Sequence, residues 1–177
     1  MTISHLPLVN QKLAYAKAII RNLEDLSSEA SATPKLNRQA LADAAVFHLV
    51  SAFHFYLREL ADKQAIRNLS AVNSTHDLID TLQQAEKTSS ESVELHTLSQ
   101  TPDSWLSQLL GYYERIFKSP EKPKQKKSFG QENLIELVEL TEASDQPSIE
   151  LTADTLNSWL HNFRDLIIRQ RETSAEF

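Results

Sequence analysis

The chain has 177 residues, which is long enough for one domain with a substantial core. It contains no cysteine, so disulfide bonds and thiolate metal sites are excluded. It has only two glycines and six prolines, whereas an all-β protein would need many tight turns. The formal net charge of −6 argues against a general affinity for nucleic-acid phosphates. We expect a single all-α domain over residues 1–177.

The N-terminal region predicts a first helix from about Pro7 to Ser28. Its apolar residues recur at three- and four-residue steps: Val9, Leu13, Ala16, Ile20 and Leu23. The start of the chain lacks the basic flank and apolar region of a signal peptide, and no stretch has the uninterrupted apolar length that spans a bilayer. We therefore expect a cytoplasmic protein with no membrane partner.

The second predicted helix, about Leu36 to Asp62, is the most apolar part of the chain. At 100° per residue, one broad arc has no polar member: Ala42, Ala45, Val46, Leu49, Val50, Ala52, Phe53, Tyr56, Leu57 and Leu60. The remaining arc is mixed and is expected to be partly exposed. A surface position would leave a wide apolar strip in water, so this helix is predicted to be central.

Further helices are predicted along the rest of the chain, and together they favour an up-and-down bundle of four to six helices. The first, fifth and last helices are expected to pack around the central one. The later predictions are a helix over Thr75–Lys87, one or two turns over 91–99, a helix from Thr101 as cap to about Lys118, and a helix capped by Thr152 that ends near Arg171.

Between the last two helices lies a lysine-rich stretch, residues 118–131, which is predicted to be a flexible loop. Residues 131–151 fit both a short helix and short extended pieces.

Candidate binding residues are few. Ser51, His54 and Arg58 are polar groups on a mostly apolar helix and could line a pocket for an anion or nucleotide. A surface ion pair between Arg58 and Asp62 is the simpler interpretation. In the loop, Lys124, Lys126 and Lys127 could hold nucleic acid, but a solvated linker is the favoured interpretation, because the lysines lack interleaved aromatic residues and the flanking chain is acidic.

Metal, cofactor and catalytic signatures are missing from the sequence. No histidine lies in a His-Glu-x-x-His pattern, so we expect no metal and no cofactor. A metal or small-ligand site formed by His48, His54 and Glu59 is a third hypothesis for the function. There is no Gly-x-Ser-x-Gly elbow, and two glycines cannot build a phosphate loop. The arginines Arg164, Arg169 and Arg171 are predicted to complement the last helix dipole.

Four segments carry a resemblance to a known group of proteins: NQKLAYAKAII at 10–20, AAVFHLVSAFHFYLRELA at 44–61, SWLSQLLGYYE at 104–114 and WLHNFRDLIIRQRE at 159–172. With these segments the chain resembles a family of uncharacterised bacterial helical proteins. More distantly, it is similar to the helical bundle of HEPN domains. The resemblance implies a small all-helical domain and no site residues. The Arg and His pair of HEPN ribonucleases is not present, so nuclease activity is not implied.

The sequence therefore favours a non-enzymatic protein that binds an unknown protein partner or acts as a scaffold. Apolar surface at Phe47, Phe55 or Tyr56 would allow it to form a homodimer. The alternative is a HEPN-like protein that binds nucleic acid or nucleotide without the usual nuclease motif.

Overall fold

The computed structural model describes residues 5–27, 34–118 and 151–173. These residues form six α-helices and no strand: α1 Leu6–Ser27, α2 Pro34–Lys63, α3 Thr75–Gln84, α4 Ser90–Gln100, α5 Trp105–Ile116 and α6 Ala153–Thr173. A short 3-10 turn, Leu69–Ala71, lies between α2 and α3. The all-α prediction is confirmed. Apart from their terminal residues Lys118 and Leu151, the predicted lysine-rich loop and the ambiguous 131–151 segment lie outside the described residues.

The helix α2 is the centre of the core, as predicted. Every residue of its apolar arc is buried, and Leu49, Tyr56 and Leu57 are fully buried. Among the described residues, α2 is also the one helix with the length and composition of a membrane span, and half of that span is buried inside the bundle. A soluble core helix meets the same criteria, so its position in the bundle accounts for its apolar composition.

Three helices surround α2. The helix α1 forms an antiparallel hairpin with α2, and α6 packs against both helices. The helix α5 packs against α2 and α6. The predicted buried stripe of α6 is confirmed by the burial of Leu156, Trp159, Leu160, Phe163 and Ile167. The ring of Phe163 joins three helices, since its centroid lies 6.2 Å from Phe53, 6.1 Å from Tyr56 and 5.6 Å from Trp105.

Two predicted helix boundaries were wrong. The helix α5 begins at Trp105 and is capped by Ser104, whose hydroxyl accepts a hydrogen bond from the Ser107 N–H at 3.0 Å. The predicted cap, Thr101, instead ends α4, where its N–H donates to the Thr97 carbonyl. Asp103 between them has φ of 59°, which interrupts any continuous helix. As a result, α4 has three turns, longer than predicted.

Within the ranges 5–27, 34–118 and 151–173, one face of α2 has no helix packed over it. The helices α1 and α5 flank α2 and make few contacts with each other. At 100° per residue, the stripe between them carries Leu36, Ala40, Phe47 and Ser51, and the first three of these are exposed. The bundle therefore has an open groove with α2 as its floor.

Candidate functional site

The predicted polar residues of α2 are engaged within the protein. The Ser51 hydroxyl donates to the Phe47 carbonyl at 2.7 Å, one helical turn earlier. The Arg58 guanidinium donates from Nε to the Val72 carbonyl at 3.2 Å and from Nη2 to Asn73 Oδ1 at 2.7 Å. Arg58 therefore joins α2 to the loop before α3. The sequence had predicted an ion pair between Arg58 and Asp62 instead.

His54 lies between these two residues on the same helix. Burial of its ring, with the nearby Arg58 charge as a second cause, lowers the pKa of His54. Its imidazole is therefore neutral near pH 7. The three lysines predicted to join this set, Lys124, Lys126 and Lys127, lie outside the described residues. An anion site formed by these residues stays a prediction.

A partly buried polar network connects α2, α4 and α6. The Tyr56 hydroxyl donates to Gln170 Oε1 at 2.7 Å, and Gln170 Nε2 donates to Glu94 Oε2 at 2.7 Å. Arg169 Nη2 donates to the other Glu94 oxygen at 2.5 Å. Burial alone would raise the pKa of Glu94, but the hydrogen bonds from Arg169 and Gln170 outweigh it and lower that pKa. Burial raises the pKa of Tyr56, so its phenol stays protonated.

A second buried pair lies beside this network. Arg171 donates from Nε and Nη2 to the two oxygens of Glu59 at 2.9 and 2.7 Å, and from Nη1 to Asn10 Oδ1 at 3.2 Å. Glu59 is only 6% exposed, although its place on the mixed arc of α2 suggested partial exposure. The dipole interpretation of Arg169 and Arg171 was therefore incomplete, since both form specific ion pairs across helices.

The carboxylates in both sets already have cationic partners. The carboxylates of Glu59 and Glu94 are held by arginines, and a cation would have to displace those partners. Within the described ranges, no three His, Asp or Glu side chains are grouped closely enough to hold a metal ion. These networks instead fix the register of α6 against α2 and α4.

A row of five rings crosses three helices and includes three exposed aromatic side chains. We call it the aromatic ladder, and its members are Tyr15 on α1, His48 and Phe47 on α2, and Tyr113 and Phe117 at the end of α5. Successive ring centroids are 5.4, 5.9, 6.4 and 5.1 Å apart. These distances are within the range of favourable aromatic contacts.

The ladder is accessible to solvent. Tyr15 is 45% exposed, Phe47 48% and Phe117 67%. Three side chains were predicted to form an apolar surface. Phe47 is exposed and does so, whereas Phe55 is partly covered by packing against the core. The prediction for Tyr56 was wrong, since that ring is fully buried on the arc that faces α6 and its hydroxyl is bonded to Gln170.

His48 contributes a neutral ring to the ladder. Burial, with the charge of Lys12 as a lesser cause, lowers the pKa of His48. Its Nδ1 atom is buried and has no hydrogen-bond partner among the described residues. A neutral imidazole that stacks edge-on against Tyr15 behaves here as an apolar ring.

The edges of the ladder carry polar groups of both signs. Lys12 lies over the Tyr15 ring at 5.7 Å, and Arg115 lies over Tyr112 at 5.1 Å. The Tyr112 hydroxyl donates to Asp43 at 3.1 Å. Burial is the main reason that the pKa of Tyr112 is raised.

Next to the ladder, a crevice opens between the end of α1 and the start of α2. Its volume is about 500 Å³, and its lining consists of Asn22, Asp25, Leu26, Asn37, Ala40 and Leu41. Three of these residues, Leu26, Ala40 and Leu41, give it an apolar floor.

Sequence reasoning identified only part of this surface. It named Phe47 as apolar surface and His48 as a member of a hypothetical metal site. It did not connect them with Tyr15 or Tyr113, because residues on separate helices show no common periodicity. A count of aromatic residues on the polar faces of the predicted helices would have been the available signal.

Together, the fold and the site define an all-helical bundle with a polar network at one end and an exposed aromatic face that crosses the middle of α1 and α2. The chain belongs to a family of unknown function (DUF6586), whose model matches residues 1–177. No curated protein and no solved structure matches the chain.

Proposed function

We propose that this protein is a non-enzymatic protein-binding domain, located in the cytoplasm, and that the aromatic ladder is its binding surface. The observation that carries the proposal is the uncovered face of α2, on which Phe47 is half exposed between rings of α1 and α5. Contiguous exposed rings are costly in water and are typical of surfaces that another protein covers.

The composition of the surface supports a protein partner. Aromatic residues are enriched at the centres of protein interfaces, where they supply large contact area at a low cost in side-chain entropy. The ladder also combines apolar rings with polar edges, as the core and rim of an interface do. The buried Arg171–Glu59 pair and the more exposed Arg169–Glu94 pair include no residue of the ladder.

Nucleic-acid binding stays the alternative interpretation. Rings can also stack on bases, and Lys12 and Arg115 lie at the edges of the ladder. The chain as a whole is acidic, however, which opposes binding to a polyanion. Salt-dependent RNA binding that weakens when Lys124, Lys126 and Lys127 are substituted would favour this alternative.

The proposal can be tested by photo-crosslinking in cells. A photoreactive amino acid is placed at Phe47 or Phe117, and, as matched controls, at Val93 on α4 or Ile168 on α6. The controls are also exposed apolar residues, at 55% and 49%, but they lie outside the ladder. We expect discrete protein adducts from the two ladder positions and none above background from the controls.

Two results would overturn the proposal. Equal adduct yields at ladder and control positions would mean that the ladder is ordinary surface. Adducts that consist of nucleic acid, and disappear on nuclease treatment, would replace the protein-binding function with the alternative.

A further inference from the structure

The aromatic ladder and the crevice beside it form a self-complementary surface. The most exposed ring, Phe117, projects from the α5 side of the groove. The crevice over Ala40 and Leu41 opens on the α1 side. A projecting ring and an apolar recess on opposite sides of one groove are what a two-fold interface requires, since each contact there occurs twice.

The ring and the recess also lie at the same end of the groove. Gln39 donates to the Tyr112 hydroxyl at 2.8 Å, and that hydroxyl donates to Asp43. These bonds place the last turns of α5 beside the first turns of α2, where Ala40 lies. Consider a two-fold axis that runs parallel to α2 through the groove. Rotation by 180° about it places the α5 side of one copy opposite the α1 side of the other, at the same position along α2. Such a rotation carries Phe117 of one copy over the crevice of another.

The crevice is large enough for the ring. A closed apolar cavity of about 150 Å³ accepts benzene, and the crevice measures about 500 Å³. Three of the residues that line it, Leu26, Ala40 and Leu41, are apolar.

The charges around the ladder suit a second copy better than a strongly charged partner. The ladder and the crevice carry charges of both signs: Lys12, Arg115 and Lys118 are cationic, and Asp25, Asp43 and Glu114 are anionic, so these charges cancel. The whole chain carries −6. Because a two-fold interface brings a surface against itself, a near-neutral edge avoids the repulsion that the rest of the acidic surface would produce.

We propose that a second copy of this chain covers the aromatic ladder through a two-fold axis along α2, with Phe117 of each copy in the crevice of the other. This inference rests on the proposed function and names the partner of the same surface. Each contact is reciprocal, so the assembly closes as a dimer and cannot extend into a filament.

The oligomeric state of the full chain is the first test. Sedimentation is measured from micromolar to several hundred micromolar protein for the native chain and for three variants. Phe117→Ser removes the ring, Ala40→Trp fills the crevice, and Val93→Ser is the control at another exposed apolar site. We expect a dimer whose dissociation constant rises at least about tenfold in the first two variants, as for interface anchors, and is unchanged in the control.

The geometry is tested with cysteine pairs, which the cysteine-free sequence makes unambiguous. Phe117→Cys and Ala40→Cys are prepared as separate single variants and mixed under mild oxidation. Because each chain carries one cysteine, a disulfide between positions 117 and 40 joins two copies. We expect this mixed product to exceed both homodimeric products.

Several outcomes would overturn the inference. The inference is wrong if sedimentation shows a monomer at all concentrations. It is also wrong if Val93→Ser weakens the dimer as much as Phe117→Ser does. If the purified chain is monomeric but position 47 still yields adducts with another protein in cells, the second copy is wrong and the proposed function stands. If neither assay detects a partner, both are wrong.

Discussion

Arg171 and Glu59 form a two-point ion pair between α6 and α2, although they are separated by 112 residues in sequence. The Glu59 carboxylate is almost completely removed from water, with 7% of its side chain exposed. A buried carboxylate is costly unless a cation and hydrogen bonds compensate it. The buried charge on α2 is therefore compensated when α6 is packed in its correct position.

Truncation of Arg171 should strongly destabilise the protein. Arg171→Ala leaves the Glu59 charge buried without its cation, and we expect a loss of about 3 kcal/mol in the free energy of unfolding. The exposed Arg164 on the same helix is the matched control, and Arg164→Ala should change stability by less than about 0.5 kcal/mol. Urea denaturation followed by circular dichroism measures both. Similar midpoints for the two variants would show that the buried pair has no special role.

A change of both partners tests the cause of that loss. Glu59→Leu combined with Arg171→Leu removes both charges and keeps apolar volume. We expect this double variant to be more stable than Arg171→Ala alone, because no charge is left unpaired. A double variant as unstable as the single one would indicate that lost packing, and not an unpaired charge, is responsible.

Stability should fall as the pH is lowered below about 6.5, the ordinary histidine pKa. The folded state lowers the pKa of His48 and of His54, so the unfolded chain binds protons that the folded chain does not. By linkage, acidification through this range favours unfolding. Denaturation midpoints between pH 7.5 and 5.5 should therefore decrease, and the variant His48→Gln/His54→Gln should flatten this dependence.

The lysine next to His48 provides a finer test. The Lys12 charge is one cause of the lowered His48 pKa, so Lys12→Gln should reduce the pH dependence. Lys17→Gln on the same helix is the control and should leave the pH dependence unchanged. Equal slopes for all three proteins would contradict the assignment.

The cap of α5 distinguishes the structure from the sequence pattern. The Ser104 hydroxyl accepts from the Ser107 N–H and donates to the Leu98 carbonyl at 2.6 Å, so Ser104→Ala should cost about 1 kcal/mol. The Thr101 hydroxyl donates only to the Thr97 carbonyl at 2.8 Å, within its own helix, and Thr101→Ala should cost less than half as much. Thermal unfolding of both variants decides between them, and the reverse order would restore the boundary predicted from sequence.

Arg58 should control the loop before α3 and have little effect on the core. Its two bonds to Val72 and Asn73 are the link between α2 and that loop. In Arg58→Ala, hydrogen exchange measured by mass spectrometry should accelerate over residues 68–74, while the amides of the central turns of α2 keep their protection. Acceleration spread evenly over the whole chain would instead show that Arg58 supports global stability.

The sequence predicted the helices whose burial has a regular period. The apolar arc of α2 and the stripe from Leu156 to Ile167 were correct because each depends on one helix alone. The start of α5 was missed because Thr101 and Pro102 form a standard start signal, and only the φ of Asp103 and the cap at Ser104 show that it is not used. Competing local signals of this kind are decided by tertiary packing.

The site was less predictable than the fold. Glu59 and Arg171 have no local pattern that connects them, and the sequence placed each in a different role. Phe47 was recognised as an apolar side chain, but the ladder also needs Tyr15, which contacts His48, and Tyr113, which contacts Phe47, and both come from other helices. Such a surface arises from the packing of three helices, and the periodicity within each helix does not contain that information.

The bond from Arg171 to Asn10 also fixes where additions to the protein would emerge. It brings the first turns of α1 and the last turns of α6 together at the end of the bundle that holds the polar network, while Phe117 and Ala40 lie at the opposite end. A fluorescent protein or affinity tag joined beyond either helix therefore projects from one pole and leaves the groove unobstructed. The same proximity makes the fold a suitable candidate for circular permutation, since a short peptide could link the two helices without crossing the molecule.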